Sequence, residues 1–305
     1  MVENVLNDTT DAVFIPTIIA QKCLQRFPSY LNLAKTIARD SDYVTATFGK
    51  VIQVPKTGAV VANDKVAGSN FTKQNPTGTN ISVTLNQHKE VTIAIDDVTK
   101  VLDNQDTQDR YANDGAIALA EAVESTILAL HPSITSTITW NRTSATTIDN
   151  SMLGIRKYFT DQKVPKLEQR YLYVDGTIYN DLLGTDKYSR YDARGDGKTI
   201  MDAQVIRTYG IEIHESQMIP LTGSPGAYHN LAYTKDAFIM ASRPLPKPAS
   251  GLGTLAAVIN DPTNSVSLRT LFSYDADLGA HVLTLDLLYG VSVLDQRRVV
   301  EVESF

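Results

Sequence analysis

Five histidines, His88, His131, His214, His229 and His281, are the first residues to ask for chemistry, because a neutral imidazole can bind a metal or carry a proton near neutral pH. They are scattered, and only His214-Glu215 sets a carboxylate beside one in sequence, so packing and surface roles outweigh a metal site. Asp96-Asp97 with Asp103, Asp106 and Asp109 have the donor type for a divalent cation. They also flank a predicted strand end and helix start, where acids cap and face the helix dipole, and capping is the reading adopted. The single cysteine, Cys23, excludes an internal disulfide and a Cys-based zinc cluster, and its neighbours Ile18, Ile19 and Leu24 predict a buried thiol. The chain contains no G-x-x-x-x-G-K-[ST], no H-E-x-x-H and no G-x-S-x-G. Gly251-Leu252-Gly253-Thr254-Leu255-Ala256 matches a relaxed dinucleotide fingerprint, but it follows a proline run where that motif needs a strand. Arg194-Gly195-Asp196 is read as turn chemistry, and the acceptor patterns Asn80-Ile81-Ser82 and Asn141-Arg142-Thr143 carry no weight without secretion. No catalytic, cofactor-binding or metal-ligating residue is assigned, and the chain is read as a non-enzyme.

The elements that would position any site belong to a chain of 305 residues, enough for about two domains or one elaborated one. Hydrophobic residues make up 43% and charged residues 20%, which argues against disordered and coiled-coil classes. Acidic residues number 34 and basic ones 28, a net charge of −6 that gives no global case for binding nucleic acid or an anionic membrane. The richest apolar stretch, Ala116 to Leu130, carries Glu121 and Glu124, short of the roughly 18 apolar residues a span needs. The start, Met1-Val2-Glu3-Asn4, lacks a signal-peptide pattern, so the protein is expected to remain where it is made.

Phe14 to Ile37 reads as a helical arm broken at Pro28, and Tyr43 to Val54 as a strand stopping at Pro55. Lys56 to Asn80, with Gly58, Gly68, Pro76 and Gly78, reads as a long exposed loop. Ile81, Val83, Leu85, Val91, Ile93 and Ile95 all fall on odd positions, a period-2 pattern broken only at Gln87 and Lys89. At about 3.3 Å per residue that predicts roughly 50 Å of strand, paired with 43–54 into a β-ribbon. Two-stranded ribbons are marginal alone, so either the rest of the chain or a neighbouring copy is expected to cover the odd face. Lys50, Lys56, Lys65 and Lys73 make this region basic, suited to an acidic patch on a neighbour.

A helix starting at Asp106 or Thr107 is predicted from Ala116, Leu119, Ala120, Val123, Ile127 and Leu130, ended by His131-Pro132, with Asp109, Asp114, Glu121 and Glu124 on the opposite side. Ile148, Met152, Ile155 and Phe159 predict a second helix, Arg170 to Val174 a strand, and Thr177 to Leu183 a short helix closed by Gly184. Strands follow at Thr208 to Ser216, Leu231 to Tyr233, Ala237 to Ala241, Val266 to Tyr274, His281 to Leu294 and Arg298 to Val302.

This order of parts resembles the major capsid proteins of tailed bacteriophages, with the Hong Kong 97-type fold. The resemblance is nearer to the coat-protein branch of short-tailed phages in Arg170-Tyr171-Leu172-Tyr173-Val174-Asp175, Tyr209-Gly210-Ile211-Glu212-Ile213-His214-Glu215-Ser216, Lys235-Asp236-Ala237-Phe238-Ile239-Met240-Ala241 and Leu287-Leu288-Tyr289-Gly290-Val291-Ser292-Val293-Leu294-Asp295. It implies an α+β chain with an N-terminal arm (1–40), an extended β-ribbon loop (41–95), a peripheral domain with a long spine helix (96–140 and 275–305) and a mixed α/β axial domain (141–274). The implied function is a structural coat protein that self-assembles, as pentamers and hexamers, into the icosahedral shell around a double-stranded DNA genome. Implied partners are further copies, a separate scaffolding protein, a portal protein and DNA held without sequence-specific binding. The implied location is the virion capsid, after assembly in the host bacterial cytoplasm. The expected subunit-interface residues are Lys56, Lys65, Lys73, Val83, Leu85, Val91, Ile93, Asp109, Glu121 and Glu124. An encapsulin-like cage holding cargo protein is the alternative.

Overall fold

The computed structural model describes residues 32–39, 49–58, 60–96, 106–189, 207–224, 226–249, 254–261 and 266–305. The elements begin with α1 (Asn32–Thr36), β1 (Ala38–Arg39), β2 (Val51–Lys56), β3 (Thr79–Thr84), β4 (Gln87–Asp96), α2 (Asp106–Leu128) and β5 (Thr137–Thr139). They continue with α3 (Ala145–Asp161), β6 (Arg170–Val174), α4 (Gly176–Leu183), α5 (Asp186–Ser189), β7 (Arg207–Thr208), β8 (Ile211–Glu215), β9 (Leu221–Thr222) and β10 (Ala227–Thr234). The chain closes with β11 (Phe238–Arg243), β12 (Thr254–Asp261), β13 (Val266–Asp275), β14 (Ala280–Val293) and β15 (Val299–Ser304).

In α2 five residues of the predicted stripe, Ala116, Leu119, Ala120, Val123 and Ile127, are buried together with Ala112, while Leu130 is half-buried past the end of the helix, which stops before His131-Pro132. That stripe meets Leu283, Leu285, Leu287 and Tyr289 of β14, with Phe238, Met240, Val266 and Leu268 completing the main core. Each large side chain so buried contributes about 1.5–3 kcal/mol. Gly115 permits the approach: a β-carbon there would stand 3.0 Å from Leu285 Cδ1 and 3.3 Å from Val91 Cγ1.

Strand β14 organises a six-stranded sheet of order β1-β11-β14-β13-β12 in which β4 also pairs with β14. Its first half pairs with β13, from Ala280↔Asp275 to Leu287↔Leu268, and its second with β11, from Leu288↔Arg243 to Val293↔Phe238. Strand β4 runs along it from Gln87↔Tyr289 to Asp96↔Ala280. The long strand expected over Ile81 to Ile95 is therefore two strands. Only β3 belongs to the ribbon, paired with β2 from Val51↔Thr84 to Lys56↔Thr79, while β4 joins the sheet. The odd phase persists through the break at Leu85-Asn86, which is why alternation alone could not reveal it. Pro55 lies inside β2 rather than ending it, because a two-stranded ribbon leaves that strand a free edge where no donor is needed.

The second sheet has order β5-β15-β10-β6-β8-β7, with β9 on β10. Its strands β6, β10 and β15 are buried on both faces. Leu231, Tyr233 and Val299 point into the main core, whereas Ala232, Val300 and Val302 point into a second core with Met152, Ile155 and Phe159 of α3 and Ile178 and Leu182 of α4. Ser144 and Thr147 cap α3 reciprocally, and Asp175 caps α4 by accepting from Thr177 N at 2.9 Å.

β13 and β14 form one hairpin across position 275, and β15 shares a sheet with β10 and β6 rather than with β14. The strand expected over Thr208 to Ser216 is a tight hairpin, since Tyr209 and Gly210 both have positive φ and link β7 to β8 by two residues. β12 was not foreseen; it begins at Thr254, so a strand follows where a dinucleotide fingerprint requires a helix. The arm before Asn32, Cys23, Tyr43 to Phe48, Asp97, Asp103 and Arg194-Gly195-Asp196 lie outside the described residues.

Candidate assembly interface

The ribbon is anchored at its base by its own chain. Ile52, Val54, Val83 and Leu85 pack with Ala38, Ile239, Ala241 and Leu294, so β11 is buried on both faces. Gly290 makes this crossing feasible, because a β-carbon there would lie 2.2 Å from the Thr84 carbonyl oxygen. Leu85 N donates to Lys50 O at 2.9 Å and closes the base.

A polar knot fixes the ribbon from the other side. Lys56 Nζ lies 3.2 Å from Asp295 Oδ1, while Arg297 donates to the same carboxylate from Nη2 at 2.9 Å, Nε at 3.2 Å and its backbone N at 3.1 Å. Burial works to raise the Asp295 pKa, but the bonds from Arg297 and Lys56 outweigh it and hold the carboxyl down at about 2.

These contacts correct part of the expected interface. Val83 and Leu85 are turned into the subunit's own core, and Lys56 is paired within the chain. Glu124 is buried, its Oε1 accepting from Leu33 N at 2.9 Å. Val91 packs against the main core near Gly115. Ile93 is half-buried opposite Leu283, and Asp114 and Glu121 are exposed on α2. Asp109 belongs to α2, but its side chain lies outside the described residues.

Beyond the anchored base, the loop between β2 and β3 projects its side chains into solvent. Phe71 is 81% exposed and Val60 71%, with Val61 and Val66 close behind, and Lys65 and Lys73 share this surface. The loop nevertheless has internal order. Val61 N donates to Gln74 Oε1 at 2.9 Å and Gln74 Nε2 donates back to Val61 O, while Lys65 Nζ lies 5.2 Å from the Phe71 ring centroid. The composition of this stretch predicts an exposed loop without singling out its four large exposed apolar residues. Their signal was present in Val60-Val61, Val66 and Phe71, large apolar side chains in a Gly- and Asn-rich loop.

Among the described residues no helix is long and apolar enough to cross a membrane. No protein-family model and no curated protein matches the chain. Its fold, however, is similar to solved structures over nearly its whole length. A chain from Mycobacterium phage Che8 aligns with a TM-score of 0.66 at 19% identity, covering 90% of each chain. A chain of the capsid of cyanophage P-SCSP1u aligns with a TM-score of 0.64 at 15% identity, covering 89% of this chain and 86% of that one. A virus-like particle from Pyrococcus furiosus aligns with a TM-score of 0.51 at 10% identity, covering 92% and 98%. With its ribbon, its long α2 against the β14 sheet and its second, doubly buried sheet, the chain has the Hong Kong 97-type capsid fold.

Proposed function

We propose that this chain is the major capsid protein of a tailed bacteriophage, a structural subunit whose copies close into an icosahedral shell around double-stranded DNA. The observation that carries the reading is the near-complete, two-way coverage by phage chains of this fold, 90% of each chain for Che8. The loop of residues 57–78 supports it, because exposed apolar side chains on an ordered projection fit a surface that another subunit covers. On this reading Lys65, Lys73, Phe71 and Ile93 meet a neighbouring copy, and the exposed acids Asp114 and Glu121 of α2 offer charge of the opposite sign. The net charge of −6 suits a container that encloses DNA without binding it tightly. We assign the arm, extended loop, peripheral and axial parts in the expected order, with the β13–β14 hairpin given whole to the peripheral part. A separate scaffolding protein and a portal complete the assembly, which forms in the host cytoplasm and ends in the virion.

Sedimentation and negative-stain microscopy of the purified chain, alone and with a co-expressed scaffolding protein, test the proposal. Closed shells or rings of five or six subunits are expected, and a compact monomer under every condition would overturn it. The likeness to the Pyrococcus furiosus particle favours a second reading, a cage for cargo protein, and particles made in infected cells that contain protein cargo and no DNA would select it.

A further inference from the structure

Three side chains that no sequence pattern connects converge where α2, β10 and β15 meet. His131 opens the turn after α2, His229 lies on β10 and Glu301 on β15. His131 Nδ1 is 3.1 Å and His229 Nδ1 2.5 Å from the same oxygen, Glu301 Oε1. The imidazoles are stacked, with ring centroids 4.0 Å apart and planes 20° from parallel. One donor atom from each of the three residues falls within 4.8 Å of the others. His229 and Glu301 are buried, while the His131 side chain keeps 13% of its surface, so solvent reaches the cluster from the His131 side.

We propose that His131, His229 and Glu301 form a binding site for one divalent transition-metal ion of the zinc class. Two imidazole nitrogens and one carboxylate oxygen are a donor set that zinc accepts with a further position left open. Hard cations such as magnesium or calcium prefer oxygen donors and are disfavoured here. Glu301 Oε1 occupies the point at which both Nδ1 atoms aim, so loading requires the carboxylate to draw back and the two rings to open from their stack. Groups outside the three donors suit this. The other nitrogen of His229, Nε2, lies 2.5 Å from Thr222 Oγ1, a hydroxyl able to accept the ring N–H once Nδ1 holds the ion. Thr137 Oγ1 donates to Glu301 Oε2 at 3.4 Å, and Glu303 Oε1, 3.9 Å from His229 Nδ1, is within reach of the open position. The bound ion would tie three chain segments, 131, 229 and 301, into one joint at the end of α2.

The test uses the full, tag-free chain stripped with chelator, titrated with Zn²⁺ by calorimetry and with Co²⁺ followed by its visible absorption. One ion per chain is expected, with a rise in unfolding temperature on loading. His131→Ala and Glu301→Gln should each weaken binding by more than about tenfold, since the first removes a donor and the second replaces an anionic carboxylate oxygen with a neutral amide oxygen. His131 is at the rim, so His131→Ala should retain the wild-type metal-free circular dichroism; His131→Asn replaces it if Ala does not fold. His281→Ala, at a histidine outside the cluster, should bind as wild type. Absence of stoichiometric Zn²⁺ binding, or binding unchanged in the folded His131 variant, would overturn the proposal. The measurement reads the free subunit, so its outcome is independent of whether shells form.

Discussion

At Gly290 a β-carbon would stand 2.2 Å from the Thr84 oxygen and 2.8 Å from its carbon, so β3 can cross β14 only where the side chain is absent. The obstacle is backbone and cannot rotate away. Gly290→Ala is therefore expected to cost at least about 2–3 kcal/mol in denaturant unfolding. Gly154→Ala provides the contrast: nothing lies within 4 Å of its would-be β-carbon in α3, and the change should stabilise by about 0.5–1 kcal/mol. Asp295 sets an acid limit at the same scale. Its folded pKa of about 2 lies below the ordinary 3.8, so its contribution is fully present above about pH 4 and is lost as pH falls toward 2. The shift is worth about 2 kcal/mol at face value, but with Arg297 mostly exposed, screening reduces the expectation to about 1 kcal/mol. Asp295→Asn should flatten the stability profile between about pH 4 and pH 2, and an unchanged slope there would show that the knot contributes nothing.

At the scale of elements, legibility followed periodicity. Helix α2 and strand β14 were readable because each buries a face along a single lattice, with spacings of three and four in one and Leu283, Leu285, Leu287 and Tyr289 at every second position in the other. The break between β3 and β4 was not readable, because both halves keep odd residues inward while facing different partners, the ribbon core for Val83 and the main core for Val91. Partner choice is tertiary, and so is the meeting of His131, His229 and Glu301, which lie far apart in sequence. The same reasoning predicts how α2 seats on the sheet. Ala at Gly115 meets side chains rather than backbone, Leu285 Cδ1 at 3.0 Å and Val91 Cγ1 at 3.3 Å, and its helix propensity offsets the crowding, so Gly115→Ala should be close to neutral. Gly115→Leu cannot be relieved in this way and should lose about 1–3 kcal/mol by lifting α2 from β14 and β4. Thermal unfolding of the two variants side by side measures the difference.

For the whole molecule the decisive asymmetry is between an anchored ribbon base and an unpartnered loop. The base residues Ile52, Val54, Val83 and Leu85 stabilise the subunit, so changing them would confuse folding with assembly. Phe71 separates the two, because at 81% exposure its side chain has little apolar burial to lose within the chain. Phe71→Asp should leave the subunit's unfolding free energy within about 0.5 kcal/mol of wild type. In a closed shell the same change recurs at every copy of the contact, and cooperativity turns a modest loss per contact into failure of closure. Particle yield is thus expected to collapse in Phe71→Asp while subunit stability holds. Lys65→Glu should weaken assembly in a salt-dependent way, since the attraction of an exposed lysine to acids on a neighbour is screened as ionic strength rises. If both variants assemble with wild-type yield at low salt, the loop is not the contact that closes the shell, and the half-buried Ile93 on β4 becomes the next surface to mutate.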